Sequence, residues 1–547
     1  MKRFLYLVLS CGLLLSESAI AQSLELARPV EKSLSKVKPK DIRAHVKYLA
    51  DDRLLGRQPG TPGYQMAVDY VVDHYQKAGI EPAGENNSYL QLVRLRQSFT
   101  GNDAALSLLD AQGKAVQLAN GKDFSIYPHA EEQQVNVEAP LVFAGYGISA
   151  PDLGYDDYAG IDATGKIVVV LRGAPAKFPS TVSAYSRDMM TVLRTAAEKG
   201  AVGVLVASAN PKAGVANLQR GTYSVMAPNG KVAVSRNYVS DKIQVLANIN
   251  AATFQTLLQG ALLDTASVLA GLKQGKPSSA SLPYSIKTNY SSSYKDFESY
   301  NVIGKITGSD PQLKSEYVVH SAHLDHVGVG RPVNGDSIYN GAHDNASGVA
   351  SVLEIARIYS RLPEKPKRSV LFVMVTAEEM GLLGSAYFAR FPTVPVQQIV
   401  ANINTDMPTI IAPLLSVVGL GANHSTLENE VAGAAQYLGI AVEEDPEPDQ
   451  MRFIRSDQYS FVTQGIPALH IKYGNKTKDG LNNLNKQVEA WRAIHYHKPQ
   501  DEFNNTFDFE AGKNYVQLNF LISYQVANKP ERPSWKAGDF FGTRFVQ

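Results

Sequence analysis

Five short segments of the sequence carry the histidine and carboxylate side chains that bind metal ions. They are residues 320–326, 341–348, 376–381, 404–407 and 495–501. Each segment alone is a weak signal, because such pairs occur often by chance and a single aspartate after a strand commonly caps a helix. Together they supply imidazoles and several carboxylates, the ligands that suit zinc where no thiolate is present. The sequence therefore predicts a metal site assembled from distant parts of the chain.

The elements around these segments alternate between strand and helix. Helices are predicted after Ala346 and after Gly381, and apolar runs predict strands at 317–321, 370–375, 399–404 and 468–471. This alternation predicts an α/β fold with a mixed, mostly parallel central sheet flanked by helices. Functional groups of such sheets collect beyond the carboxyl ends of the strands, and four of the five segments fall at strand junctions.

The N-terminal part of the chain is predicted to be helical. Asp41 is expected to cap a helix whose apolar residues recur at helical spacing through 42–49. Thr61 and Pro62 are a suitable cap and first turn for a second helix, which is expected to end at Gly79.

The middle of the chain has a different texture, with short apolar runs between glycine and proline turns. These runs predict a small unit of strands and one helix with its own core, at 141–144, 167–171, 187–199 (the helix) and 202–206. Residues 274–293 are rich in serine, glycine and proline, and are predicted to be a linker back to the main body.

Composition excludes several classes of partner. The chain has 547 residues and a formal net charge of +1, from 53 basic and 52 acidic side chains. This balance gives no electrostatic footprint for nucleic acid or for an anionic membrane. No stretch after the N-terminus is long and apolar enough to span a bilayer. We therefore expect neither a nucleic-acid partner nor stable membrane insertion, and oligomeric state is not indicated.

The first 21 residues have the pattern of a secretory signal peptide. A basic start at 1–3 precedes an apolar run at 4–15, and Ala19 and Ala21 are small residues at the cleavage positions. The alternative is a lipoprotein signal in which Cys11, the single cysteine, carries the lipid. Both predict export, to the periplasm or the outside of the cell. One cysteine also excludes an internal disulfide.

In their order, the five segments resemble those of the dizinc aminopeptidase family, the secreted bacterial leucyl aminopeptidases with glutamate carboxypeptidase and transferrin receptor as relatives. Similar stretches at 49–57, 301–304 and 455–468 extend the resemblance to about 40–130 and 295–525. The middle unit resembles a protease-associated domain, in segments such as 145–148 and 165–170. The resemblance implies a signal peptide at 1–21 and a catalytic domain, residues 22–130 and 286–547, split by an insertion at 131–285.

The resemblance assigns the metal ligands. His323, Asp344 and Asp406 would hold one zinc ion, and Asp344, Glu379 and His497 would hold the other, with Asp344 as the bridge. Each set has three protein ligands, which leaves a position open as catalytic zinc requires. A site this rich in oxygen ligands could also take manganese or cobalt in vitro.

The resemblance also assigns the groups around the metals. Glu378 would be the general base that takes a proton from the attacking water and delivers it to the leaving amine. Asp325 would orient the ring of His323, and a cis peptide bond is expected after Asp344. Asp501 is expected to support the loop that carries His497. Four neighbouring histidines are expected to pack or support rather than ligate: His320, His326, His343 and His495.

The expected activity is that of an exported metallo-aminopeptidase acting on peptide substrates with two Zn²⁺ ions. Two other enzyme hypotheses stay open: a carboxypeptidase of the glutamate carboxypeptidase type, and an acyl transferase like glutaminyl cyclase. A receptor-like module with a dead site is the non-enzyme hypothesis. A full set of ligands for two metals favours hydrolysis over acyl transfer, and the presence of all five ligands and the base argues against a dead site.

Overall fold

The protein is described here by a computed structural model that covers residues 24–504 and 506–546. The predicted signal peptide and Cys11 lie outside the described residues. Within the described ranges, no helix is both long enough and apolar enough to cross a membrane.

Fourteen α helices lie within these ranges. In chain order they are α1 (Arg28–Leu34), α2 (Pro39–Leu49), α3 (Pro62–Ala78), α4 (Ser180–Arg187), α5 (Met189–Glu198), α6 (Ala251–Gly260), α7 (Thr265–Lys273), α8 (Ser347–Ser360), α9 (Leu383–Arg390), α10 (Leu427–Leu438), α11 (Gln458–Val462), α12 (Leu484–His495), α13 (Phe509–Asn528) and α14 (Phe540–Phe545).

Twenty-two strands lie within the same described residues, some only two residues long. They are β1 (Glu81–Pro82), β2 (Leu90–Thr100), β3 (Ala105–Asp110), β4 (Ala115–Gln117), β5 (Phe124–Ile126), β6 (Gln134–Ala144), β7 (Ser149–Ala150), β8 (Tyr155–Asp156), β9 (Ile167–Leu171), β10 (Gly203–Ala207), β11 (Thr222–Met226), β12 (Val232–Ser235), β13 (Val245–Ile249), β14 (Ser279–Ile306), β15 (Tyr317–His323), β16 (Gly328–Val333), β17 (Asp336–Tyr339), β18 (Ser369–Val375), β19 (Ile399–Asn404), β20 (Ser416–Leu420), β21 (Ala441–Val442) and β22 (Ala468–Tyr473).

The first sheet carries the predicted metal segments. Its centre consists of β18, β15, β19 and β22, which are parallel neighbours, while β14 and β20 flank them in antiparallel pairing. Helices α2, α3, α8 and α13 cover one face, and α9 and α11 cover the other. Every residue of β18 is buried because both faces are covered, so the strand is a continuous apolar run. The predicted fold class is confirmed.

The second sheet belongs to the middle of the chain. Its order is β4-β3-β14-β6-β9-β10-β13-β5, and the pairs from β6 to β13 are parallel. Helices α6 and α7 pack on one face and α5 packs on the other. Strands β11 and β12 come from the same stretch of chain but pair with β2 in the first sheet.

The prediction of a linker at 274–293 is wrong. Strand β14 is 28 residues long, and it pairs with β6 and β3 in the second sheet before it pairs with β2 and β18 in the first. Alternate residues Ile286, Thr288 and Tyr290 are buried, which is the two-residue period of a strand. The polar residues between them concealed this period in the sequence.

The two N-terminal helices are present, but one predicted cap is wrong. Helix α2 begins at Pro39, since proline is favoured in the first turn, so Asp41 lies inside the helix and its carboxylate is 2.9 Å from Arg357. The limits of α3 are as predicted: the Thr61 side chain accepts from the N–H of Tyr64, and Gly79 closes the helix at φ 69°.

Candidate metal centre

The ends of three parallel strands bring the predicted ligands to one edge of the first sheet. Strand β15 ends at His323, β18 ends two residues before a turn that carries Glu378 and Glu379, and Asp406 follows β19. Asp344 lies in the irregular turn Ala342–Ala346 that leads into α8. This is the carboxyl edge at which such sheets collect functional groups.

The first predicted ligand set is assembled around His323. Its Nε2 atom lies 3.3 Å from Oδ1 of Asp344 and 3.3 Å from Oδ1 of Asp406. The side chains of His323 and Asp344 are almost fully buried, and that of Asp406 is 13% exposed. These three side chains offer ligand atoms close enough to hold one ion.

The second predicted set shares Asp344. Nε2 of His497 lies 3.2 Å from Oδ2 of Asp344 and 3.1 Å from Oε2 of Glu379. The two oxygens of Asp344 thus face two different imidazoles, as a bridging carboxylate requires. The structure therefore brings all five predicted ligands together.

His326 also enters the site, although the sequence led us to group it with the packing histidines. Its Nδ1 atom lies 2.7 Å from Oε1 of Glu379, and its ring centroid is 5.8 Å from that of His497. His326, Asp344 and Glu379 form a second group of side chains that could hold an ion. The turn after β15 brings His326 to Glu379, and no pattern in the sequence predicts that turn.

The donor set fits divalent cations. Asp344, Glu379 and Asp406 place three carboxylates within reach of the imidazoles, in surroundings that exclude most water. Oε1 of Glu379 is buried and lies 2.7 Å from Nδ1 of His326, but the two atoms are not aligned as a hydrogen bond and neither has another partner among the described residues. Buried carboxylates without partners are costly, and a bound cation removes that cost.

The side chain of Asp325 contacts the backbone of Glu378, the predicted base. Its carboxylate accepts from the N–H groups of Glu378, at 3.1 Å, and Glu379, at 3.3 Å. Its own backbone carbonyl lies 3.1 Å from Nδ1 of His323, whereas the carboxylate is 4.0 Å from that nitrogen. Asp325 therefore positions His323 through its backbone oxygen, and its side chain fixes the turn that carries Glu378.

Asp501 holds the turn that carries Asp344, the predicted bridging ligand. Its carboxylate accepts from the N–H groups of His343 and Asp344, each at 2.9 Å. Gly341 begins this turn at φ 62°, and a Cβ atom there would lie 2.1 Å from the carbonyl oxygen of Asp344. The peptide bond between Asp344 and Asn345 is cis, as the family resemblance implied.

Three further side chains, not singled out in the sequence, support the site. The buried guanidinium of Arg57 donates to the carbonyls of Leu324 and Gly341, which lie next to ligand segments. His470 and Lys472 on β22 both contact the carbonyl of Asp406, at 2.8 and 2.7 Å. Their spacing of two residues along a strand is the signal that could have indicated a shared face.

The base candidate Glu378 is surrounded by other acids. Burial raises the pKa of its carboxyl well above the ordinary glutamate value, and Glu379 and Asp457 add to the rise. Burial also raises the pKa of Asp457, to about 7. A general base with a raised pKa holds a proton more readily at neutral pH, which suits proton transfer in both directions.

The other three histidines have packing surroundings. His320 is buried and stacks on Phe372 with ring centroids 6.1 Å apart, and burial lowers its pKa to about 3. His343 and His495 lie on either side of Trp491, at 4.8 and 4.6 Å.

The fold and the site define an α/β protein with a paired metal-ligand cluster at the carboxyl edge of its main sheet. Residues 301–518 match peptidase family M28, and residues 137–251 match the PA domain. These two parts of the chain therefore match a peptidase family and a protease-associated domain, and the resemblance seen in the sequence is confirmed.

Curated relatives of several kinds match the chain. Leupeptin-inactivating enzyme 1 of Streptomyces exfoliatus is 28% identical over 243 residues, 43% of this chain and 50% of that protein. Probable lipoprotein aminopeptidase LpqL of Mycobacterium tuberculosis is 27% identical over 64% of this chain and 54% of its own length. Carboxypeptidase Q of Bos taurus is 22% identical over 70% and 68%. The chain thus spans about half the length of the first two.

Proposed function

We propose that the protein is an exported metallo-aminopeptidase that removes N-terminal residues from peptides with two zinc ions. The observation that carries the proposal is the sharing of Asp344 between two sets of candidate ligands, all largely buried except His497, with Glu378 beside them. A shared carboxylate holds two cations close together, which is the arrangement of two-metal hydrolases.

The residues that would hold the ions are those of the two sets. His323, Asp344 and Asp406 would bind one, and Asp344, Glu379 and His497 would bind the other, with His326 as a further imidazole on Glu379. Zinc bound there would polarise the scissile carbonyl and lower the pKa of water.

The protein's own groups would move the proton. The carboxylate of Glu378 would take a proton from the attacking water and pass it to the leaving amine. The side chain of Asp325 keeps Glu378 in place through its backbone N–H. Lys472 and His470 hold the backbone carbonyl of Asp406. This contact would keep the side-chain carboxylate of Asp406 directed at His323.

The division of the chain is part of the proposal. We propose that export removes residues 1–21, or anchors the chain through Cys11, and that residues 131–285 are an insertion between catalytic parts 22–130 and 286–547. The PA-domain match and the separate cores of the two sheets support an insertion. Strands β3 and β5, which precede residue 131, also pair in the second sheet, so the inserted unit takes in chain before that boundary.

A carboxypeptidase is the second candidate, because Carboxypeptidase Q is among the relatives that match much of the chain. The test compares three substrate types on the zinc-loaded protein, with and without a chelator: aminoacyl-p-nitroanilides, N-acetylated peptides and peptides with a C-terminal amide. The proposal predicts cleavage that requires a free amine and metal but not a free carboxyl terminus. Cleavage of N-acetylated peptides would favour the carboxypeptidase, and cyclisation of N-terminal glutamine would favour the cyclase.

A further inference from the structure

One cation near the metal ligands has no acidic partner. Arg492 lies on α12, the helix that leads to His497, and it donates to the amide oxygen of Gln450 at 3.4 Å. Among the residues that the structure describes, no carboxylate lies within 4.0 Å of its guanidinium. A second cation, the exposed Arg455, donates to the backbone carbonyl of the same Gln450.

Three acids of the neighbouring loop have other partners. Asp445 and Glu447 both pair with the buried Arg452. Glu443 accepts from the backbone N–H of Asn475. These three acids are therefore engaged with groups other than the two arginines at Gln450.

Arg492 is separated from a metal ligand by a single ring. Its guanidinium carbon lies 4.2 Å from the ring centroid of Tyr496. The ring of Tyr496 stacks on that of His497, with centroids 3.9 Å apart. The Nε2 atom of His497 in turn contacts Asp344 and Glu379. A group held by Arg492 would therefore lie beside the metal site.

The helix face that carries Arg492 is otherwise apolar. Leu484, Val488 and Arg492 are spaced four residues apart, so they share one face of α12. Leu484 and Val488 pack with the buried Tyr473. Burial raises the pKa of Tyr473, and the charge of Arg492 opposes that rise, which indicates that the guanidinium is close to this ring. This face of α12 is therefore apolar at Leu484 and Val488, and it carries the positive charge of Arg492 at the end nearest the candidate metal ligands.

We propose that Arg492 binds a carboxylate of the peptide substrate, so that the enzyme prefers substrates with an anionic group near the scissile bond. The planar guanidinium suits a carboxylate because it can donate two parallel hydrogen bonds. The carboxylate has two sources, an acidic side chain on the N-terminal residue or the free terminus of a dipeptide. This inference rests on the proposed peptidase function.

The test removes the charge with a matched control. Arg492→Gln and Lys486→Gln each remove one positive charge from α12, and Lys486 is exposed and outside the site. Four substrates distinguish the two possible sources of the bound carboxylate: glutamyl-p-nitroanilide, leucyl-p-nitroanilide, alanyl-alanine and alanyl-alaninamide. Thermal unfolding establishes that both variants fold.

We expect Arg492→Gln to lower kcat/KM about 10- to 100-fold for an anionic substrate, and less than about threefold for leucyl-p-nitroanilide. A selective loss on glutamyl-p-nitroanilide identifies the side chain as the source. A selective loss on alanyl-alanine, but not on its amide, identifies the free terminus. Lys486→Gln should change none of them, and Arg492→Lys should restore part of the loss.

Equal losses on all four substrates would overturn the inference, since they would show that Arg492 only shapes the loop and Tyr496. No loss on any substrate would overturn it as well. Calorimetry measures the binding of glutamate, alanyl-alanine and leucine to the zinc-loaded protein. It distinguishes failure of the Arg492 inference from failure of the proposed peptidase function. If the protein binds these ligands in a way that depends on Arg492 but hydrolyses no peptide, the inference stands and the proposed peptidase function is wrong. If it hydrolyses peptides equally well with and without Arg492, the peptidase function stands and the inference is wrong.

Discussion

The two sheets joined by β14 bury their carboxylates in opposite ways. In the second sheet region, Asp157 is fully buried and accepts three hydrogen bonds, from the N–H groups of Tyr146 and Ile148 and from the hydroxyl of Tyr155. At the edge of the first sheet, carboxylates face imidazoles and each other, and Oε1 of Glu379 lies 2.7 Å from Nδ1 of His326 without an aligned hydrogen bond.

The difference separates a structural acid from a functional one. The carboxylate oxygens of Asp157 all have hydrogen-bond donors, and these bonds hold a loop in place. Burial raises the pKa of Asp157 to about 7. The cluster around Asp344 is incomplete without positive charge, because too many acids share too few protons and donors. Burial of an acid alone therefore does not mark a metal site. The cluster around Asp344 differs because several acids converge on imidazoles within ligand distance of one another.

The largest expected effect is on catalysis. Glu378→Gln removes the proposed base but keeps the shape of the side chain, so kcat/KM should fall about 10²- to 10⁴-fold. Zinc content, measured by mass spectrometry on the purified protein, should not change, since Glu378 is not a proposed ligand. Activity that persists with zinc bound would show that another group moves the proton.

The next effect is on metal binding. Asp344→Ala removes the shared ligand from both sets, so zinc affinity should fall more than about 100-fold and both ions should be lost together. Competition with a chromophoric chelator measures the affinity. Retention of one tightly bound ion would contradict a bridging role, and Asp157→Ala serves as the control because it should leave zinc content unchanged.

The third effect is on stability and depends on pH. The folded pKa of Asp157, about 7, is above its ordinary value of 3.8, so the folded state binds more protons between these values. The contribution of Asp157 to the free energy of unfolding is at its maximum below about pH 4, and it is lost as the pH rises to about 7. In Asp157→Asn the amide oxygen can still accept from the two N–H groups, and the amide nitrogen can donate to the Tyr155 hydroxyl oxygen, so the variant should be about 1 to 4 kcal/mol more stable than the native chain at pH 8.

Denaturant unfolding at pH 5 and pH 8 checks that prediction. The advantage of Asp157→Asn should shrink at pH 5. An advantage that is equal at both values, or absent, would show that the carboxylate is held ionised by its hydrogen bonds.

The smallest effect concerns a partly exposed acid. Asp41 pairs with Arg357 at 2.9 Å, and both side chains are about a quarter exposed to solvent. Asp41→Asn should lower the free energy of unfolding by about 0.5 kcal/mol, because exposed ion pairs contribute little. A loss above about 2 kcal/mol would show that α2 depends on this pair far more than its exposure suggests.

The part of the site that could be predicted lies on regular elements. His323, Glu379 and Asp406 follow apolar runs, and parallel strands bring their ends to one edge, so their proximity follows from the fold. His326 could not be predicted, because its place depends on the turn after β15. Lys472 could not be predicted either, since its role is to hold a backbone carbonyl that the sequence does not specify.

The fold was predictable where hydrophobic pattern and cap residues agreed, as at α3 and β18. It was not predictable along β14, where serine and threonine fill positions of a strand that crosses two sheets. Such residues are typical of loops, and only pairing with β6, β3 and β2 makes them a strand.

The central claim is that two ions, held by one shared aspartate, hydrolyse peptides from the amino end. It is tested most directly by titrating zinc into the metal-free protein while following hydrolysis of a free-amine peptide and its N-acetylated form. We predict that cleavage of the free-amine peptide rises to a plateau at two zinc ions per chain, with the acetylated peptide untouched. Full activity at one ion, or cleavage of the acetylated peptide, would contradict the account.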